Sequence, residues 1–135
     1  MKKTPILALA LASGIIGFAG NLSAQTALKD VAHVREGIIA VGMAVELSDK
    51  CGSISPRTLR GLNYLRGLQD HARGLGFSQA QIDAYVDDKT EKRRLEGIAR
   101  NRLADLGVVA GQESTYCAVG RAQISAGTAV GRLLR

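Results

Sequence analysis

Aromatic residues are scarce in this 135-residue sequence: tryptophan is absent, and there are three tyrosines and two phenylalanines. The 18 basic residues outnumber the 12 acidic ones, but no motif interleaves basic and aromatic residues as nucleic-acid-binding domains do. We therefore do not expect a nucleic-acid partner. The chain is also too short for a second domain beside the first, which excludes multidomain enzymes and large cofactor-binding folds.

Motifs that carry chemistry are missing as well. His33 and His71 are the only histidines, and neither has another metal-ligating residue at the spacing of a zinc site. The chain has no Gly-x-Ser-x-Gly elbow, no C-x-x-C redox motif and no glycine-rich phosphate loop. Asp87 and Asp88 are adjacent, so on a helix their carboxylates would point about 100° apart and would not converge. We therefore predict a non-catalytic protein without metal-binding or cofactor-binding residues.

The first 24 residues have the composition of a secretory signal peptide. Lys2 and Lys3 precede a mainly apolar segment of 14 residues, Ile6–Ala19. Ala24 supplies the small residue that signal peptidase requires, so we predict cleavage before Gln25. The alternative is an uncleaved membrane anchor, but a spanning helix needs about 20 apolar residues, and polar residues interrupt this segment too early.

Cleavage would leave a single helical domain, residues 25–135, with 16 basic and 12 acidic residues and a net charge of +4. In an oxidising compartment its two cysteines, Cys51 and Cys117, are expected to form one structural disulfide. Two free buried thiols are the alternative. The bond would close a loop of about 67 residues and contribute about 4 kcal/mol to stability.

Apolar residues recur at spacings of three and four along almost the whole domain, and no segment alternates convincingly with the period of two of a strand. The first predicted helix covers Leu28–Lys50, with an apolar face formed by Val31, Val34, Ile38, Val41 and Val45. A serine cap followed by proline predicts that the second helix starts at Ser55 and Pro56. Its apolar stripe consists of Leu59, Leu62, Leu65 and Leu68.

Three further helices follow in the second half. Ser78 and Gln81 have the spacing of a capping box and predict a short third helix. Asp88 and Glu91 have the same spacing and predict the start of a fourth helix, with Gly107 at its end. A last helix is expected to start near Ser114. The expected fold is therefore an all-α bundle of four to five helices, stapled by one disulfide.

Segments around both cysteines resemble a known family. Cys51-Gly-Ser-Ile-Ser-Pro-Arg57 and Ser114-Thr-Tyr-Cys-Ala-Val-Gly-Arg121 are similar to short secreted alphaproteobacterial proteins of unassigned function, and the likeness covers about residues 28–135. One departure is Gly111-Gln-Glu-Ser, where the family pattern is Gly-Asp-Pro-Ser. Family members are often encoded beside subunits of the respiratory NADH:quinone oxidoreductase. The resemblance therefore implies an accessory subunit on the periplasmic face of that complex.

The C-terminal segment is the candidate partner contact, through Val130, Arg132, Leu133, Leu134 and Arg135. Packing of its leucines in the protein's own core is the alternative. The basic excess is compatible with solvated helix faces, or with contact to an acidic partner or an anionic membrane surface. A periplasmic holdase chaperone and a toxin-neutralising immunity protein are the alternative functions.

Overall fold

Five α-helices make up most of the computed structural model, which describes residues 26–135. Their bounds are α1 Ala32–Lys50, α2 Thr58–Gly74, α3 Gln79–Asp87, α4 Lys89–Asp105 and α5 Glu113–Ala126. Short 3₁₀ turns, Leu28–Asp30 and Gly131–Leu133, precede α1 and follow α5. The all-α prediction is confirmed. The predicted signal peptide, residues 1–24, and its cleavage site before Gln25 lie outside the described residues.

Side chains cap α3 and α4 at the positions that the sequence predicts. The Ser78 hydroxyl accepts from the Gln81 backbone N–H at 3.2 Å, and the Gln81 side chain accepts from the Ser78 N–H at 2.8 Å. The Asp88 carboxylate accepts from the N–H groups of Thr90 and Glu91. These bonds satisfy N–H groups that have no partner within the helix. The short α3 is thereby defined at its first turn.

The predicted start of α2 is wrong by two to three residues, because α2 begins at Thr58. The residues before it are extended and pair with the end of the chain in an isolated antiparallel bridge between Pro56 and Leu134. Ser55 and Arg135 exchange two backbone hydrogen bonds, of 2.8 and 2.9 Å. Tertiary pairing of these backbone groups outweighs the local cap signal.

The hydrophobic core forms around α1, against which α2, α4 and α5 all pack. The α1 residues that are buried in this core are Ile39, Ala40, Met43, Ala44 and Leu47. The predicted disulfide is confirmed: Cys51 and Cys117 are bonded, with their Cα atoms 5.2 Å apart, and join the end of α1 to α5. Among residues 26–135, no helix is both long enough and apolar enough to cross a bilayer.

The predicted apolar stripes are only partly buried. On α2, Leu68 is 4% exposed, but Leu62 is 46% and Leu59 is 78% exposed. On α1, Val34 is buried, whereas Val45, further along the predicted face, is 49% exposed. The face of α1 that fills the core is rotated from the predicted one, because this central helix is apolar on two sides. The second apolar side is only partly covered, because Ile38 and Val41 are half-buried against the core while Val45 is exposed.

Candidate docking surfaces

A groove lies between α2 and α4, which both pack against α1 rather than on each other. We call it the α2–α4 groove; its volume is about 630 Å³. Its apolar lining comes from four helices and consists of Ile38, Val41, Gly42 and Val45 of α1, Leu65 of α2, Tyr85 and Val86 of α3, and Leu95 and Ala99 of α4. The side of α1 that carries Ile38, Val41 and Val45 therefore forms the floor of a recess, and α2, α3 and α4 form its walls.

Helix spacing explains why these apolar residues share the groove. Ile38, Val41 and Val45 are separated by three and four positions and so lie on one side of α1. Leu65 belongs to the stripe of α2 that continues to the buried Leu68. Val86, 59% exposed, comes from the last turn of α3. Ile38 and Val41 are half-buried against the core, so Val45 and Val86 are the exposed apolar side chains of the groove.

Charged residues also line the α2–α4 groove, and carboxylates predominate. Four acidic side chains and two basic ones take part: Glu46, Asp49, Glu91, Glu96, Lys92 and Arg100. Within residues 26–135, only Glu91 among these six is in an ion pair. The chain as a whole carries a net charge of +6. The groove is thus locally acidic on a basic protein, and this favours an occupant with cationic groups.

Tyr85 stands where α3 meets the α2–α4 groove. Its hydroxyl is buried and has no hydrogen-bond partner within the described residues. Burial raises the pKa of Tyr85, and the nearby charge of Glu91 raises it further. Arg94 donates two hydrogen bonds to the Glu91 carboxylate, at 2.8 and 2.6 Å, and lowers the pKa of Glu91 although burial opposes this. A neutral phenol and a closed ion pair therefore lie next to each other at neutral pH.

A second surface is formed where the C-terminal segment meets the start of α2. It contains four exposed arginines and one exposed leucine, and we call it the arginine patch: Arg57, Leu59, Arg60, Arg132 and Arg135. None of these arginines takes part in an ion pair among residues 26–135. A shallow depression of about 370 Å³ is lined in part by Arg57, Arg60 and Arg135.

Backbone carbonyls hold three of the four guanidinium groups. Arg57 Nε donates to the carbonyl of Leu134 at 2.9 Å, and Arg60 Nη1 donates to the carbonyl of Arg132 at 3.3 Å. Arg132 Nη1 donates to the carbonyl of Gly127 at 2.6 Å. These acceptors are neutral, so none of these hydrogen bonds cancels a positive charge of the patch.

The structure divides the predicted C-terminal contact into two sets. Val130, Leu133 and Leu134 are 6%, 5% and 1% exposed and belong to the hydrophobic core. This is the alternative that the sequence left open for the leucines. Arg132 and Arg135 are exposed and belong to the arginine patch. Only the charged residues of the predicted contact are therefore exposed at the surface.

Two residues that sequence spacing separates are neighbours in the fold. The rings of His33, in α1, and His71, in α2, lie with their centroids 4.5 Å apart. Because His33 and His71 are 38 positions apart in the sequence, a search for local ligand motifs does not find this contact. In the described part of the chain, no group of three or more histidine, cysteine, aspartate or glutamate side chains could hold a metal ion.

Comparison with known proteins places the chain in a family. The model of a family of unknown function, DUF5333, matches residues 26–135. The chain belongs to this family. The match confirms the resemblance to a family of unassigned function and covers all described residues of this DUF5333 protein. No curated protein and no solved structure matches it.

Proposed function

We propose that this DUF5333 protein is an exported, non-catalytic accessory subunit that binds the periplasmic side of the respiratory NADH:quinone oxidoreductase. The observation that supports a docking role is the α2–α4 groove, in which apolar side chains of α1 and α3 remain exposed. Val45 and Val86, both at least 49% exposed, lie in the same recess as the apolar side chain of Leu65. Exposed apolar side chains that are grouped in one recess favour a binding site there.

The chemistry of the groove favours a helical partner segment with an apolar stripe and basic flanks. Helix-in-groove binding places residues of one face, three to four positions apart, into an apolar recess. The carboxylates of Glu46, Asp49 and Glu96 would meet the basic flanks, because none of them is in an ion pair within the described residues. Basic residues on the partner would then fix the direction in which its helix lies.

The bundle suits a docking role because its binding surface is preformed. The Cys51–Cys117 bond ties α1, which supplies part of the groove, to α5. A surface that is rigid before binding loses less conformational entropy when a partner arrives. The identity of the partner complex rests on the family resemblance, through the location of related genes.

Affinity purification tests the proposal. The tagged full-length protein is expressed in its native host, and membranes are solubilised in a mild detergent. We expect subunits of the NADH:quinone oxidoreductase to co-purify with it. Val45→Glu places a charge in the groove and should abolish this co-purification. Val109→Glu is the matched control, because Val109 is 47% exposed and does not line the groove.

Two outcomes would overturn the proposal. A wild-type protein that is recovered without respiratory subunits would refute the assignment to that complex. Equal co-purification by the Val45→Glu and Val109→Glu variants would refute the role of the groove. Thermal unfolding of both variants, followed by circular dichroism, checks that neither substitution acts by unfolding the bundle.

A further inference from the structure

Leu59 is the most exposed large hydrophobic side chain of the described residues, at 78%. It lies on the first turn of α2, between Arg57 and Arg60 in sequence and beside Arg135 around the shallow depression. Such exposure is unfavourable in water, because an apolar side chain gains free energy when it is removed from water. The arginine patch thus combines an exposed aliphatic side chain with guanidinium groups that are in no ion pair among the described residues.

We propose that the arginine patch binds the anionic phospholipid headgroups of a membrane surface and that Leu59 enters the boundary between headgroups and acyl chains. This goes beyond the proposed function, because it requires no protein partner. Arg57, Arg60 and Arg135 surround a depression that can accept a headgroup phosphate. Arginine is suited to this ligand because its planar guanidinium donates two parallel hydrogen bonds to phosphate oxygens.

The combination of groups favours lipid over an acidic protein surface. At a membrane, phosphates form a layer directly above apolar acyl chains, so cations and a projecting aliphatic side chain are both satisfied at once. An acidic protein surface would pair with the arginines but would place Leu59 against carboxylates. The arginine patch also needs little rearrangement, because backbone carbonyls already hold Arg57, Arg60 and Arg132.

Sedimentation with lipid vesicles tests this inference. The protein is purified from the periplasm with its disulfide intact, and its mass is measured to define the exported form. It is then mixed with vesicles of phosphatidylcholine alone or of phosphatidylcholine with phosphatidylglycerol. We expect binding only to the anionic vesicles. Binding should weaken when the ionic strength rises from about 0.1 M to 1 M, because the Debye length falls from about 10 Å to 3 Å.

Three variants locate the contact. Arg60→Gln combined with Arg135→Gln should weaken binding about 25-fold, because each cation near an anionic surface contributes a factor of about five. Leu59→Ser should weaken it about tenfold and leave the salt dependence unchanged. Lys89→Gln combined with Arg93→Gln removes the same charge from exposed positions on α4 and should weaken it much less.

Several results would overturn the inference. These are equal binding to neutral and anionic vesicles, no binding to either, or equal losses in the patch and α4 double variants. The wild-type protein could instead fail to bind vesicles while the Arg60→Gln, Arg135→Gln variant no longer co-purifies with respiratory subunits. That result would show that the arginine patch contacts a protein. The two proposals fail separately, since a vesicle-binding protein without respiratory subunits contradicts only the proposed function.

Discussion

Gly131 lies against the backbone carbonyl of Gln123 in α5, so closely that a Cβ atom at position 131 would overlap the carbonyl carbon and oxygen. Thr128 reinforces this contact, because its hydroxyl accepts from the Gly131 N–H at 3.0 Å and donates to the Gln123 side chain at 2.7 Å. The last residues can therefore fold back beneath α5. In this position Leu133 enters the core and Arg132 reaches the surface.

Substitution of Gly131 tests this close approach. Gly131→Ala should lower the free energy of unfolding by about 3 kcal/mol, because a backbone carbonyl cannot move aside as a flexible side chain can. Gly67→Ala is the control: nothing lies within 4 Å of a Cβ at that helical position, so we expect a gain of about 0.5–1 kcal/mol. Urea denaturation measures both. Equal stability of the two variants would contradict the close contact.

The disulfide should account for a substantial part of the stability. Cys51 and Cys117 are 66 positions apart, and the bond restricts the unfolded chain. Replacement of both by alanine should lower the free energy of unfolding by about 2–4 kcal/mol. Alkylation without reductant should label neither cysteine in the native protein. Full labelling of both would show that the bond does not form in the exported protein.

Two ion pairs predict loss of stability in acid. Arg102 lowers the pKa of Glu36 by a hydrogen bond of 2.6 Å, and Arg94 lowers the pKa of Glu91. A carboxyl group whose pKa is lower in the folded than in the unfolded state stabilises the fold when the pH is above its unfolded-state pKa. This stabilisation is lost as the pH falls through its folded-state pKa. The free energy of unfolding should therefore decrease as the pH falls below about 4.3, the pKa of an unperturbed glutamate.

Removal of these carboxylates should flatten the acid dependence. We expect Glu91→Gln to have the larger effect, because the Glu91 side chain is 10% exposed whereas that of Glu36 is 44% exposed and better screened by solvent. Chemical denaturation at a series of pH values from neutral to acid measures the slope. If neither Glu36→Gln nor Glu91→Gln changes the slope of the unfolding free energy against pH, other groups control the loss of stability in acid.

The buried hydroxyl of Tyr85 should reduce stability. Burial of a hydroxyl without a hydrogen-bond partner is unfavourable, so Tyr85→Phe should raise the free energy of unfolding by about 1 kcal/mol. Tyr64→Phe is the control, since among the described residues only the Tyr85 hydroxyl is both buried and unpaired. Thermal unfolding at neutral pH compares them. A loss of stability in Tyr85→Phe would show that the hydroxyl has a favourable partner.

Local sequence signals predicted the helices well but not their packing. Ser78 and Asp88 cap their helices as expected, since a cap depends on residues two or three positions away. The predicted start of α2 was wrong because Pro56 pairs with Leu134, which is distant in sequence. Periodicity likewise identified the apolar face of α1 that contains Val45, but not that Val45 would remain exposed. Both failures concern contacts between distant parts of the chain. The predicted start of the first helix at Leu28 was also wrong, because Leu28–Asp30 forms a separate 3₁₀ turn and α1 begins at Ala32.

The candidate surfaces were predictable only in part. Arg132 and Arg135 were named from the sequence, because a basic segment at the end of a chain is visible there. The proximity of Arg57 and Leu59 to these arginines depends on the backbone pairing of the C-terminal residues, which no local pattern indicates. The α2–α4 groove is defined by the spacing between helices, and a single sequence does not encode this in any readable motif.

Photo-crosslinking from inside the α2–α4 groove tests the central claim most directly. Val86→p-benzoylphenylalanine places a reactive group in the groove, and Val109→p-benzoylphenylalanine places one outside it at similar exposure. The variants are irradiated in living cells, and the adducts are identified by mass spectrometry. The account predicts an adduct with a subunit of the NADH:quinone oxidoreductase from position 86 and not from position 109. No respiratory adduct from position 86, or the same adduct from both positions, would contradict it.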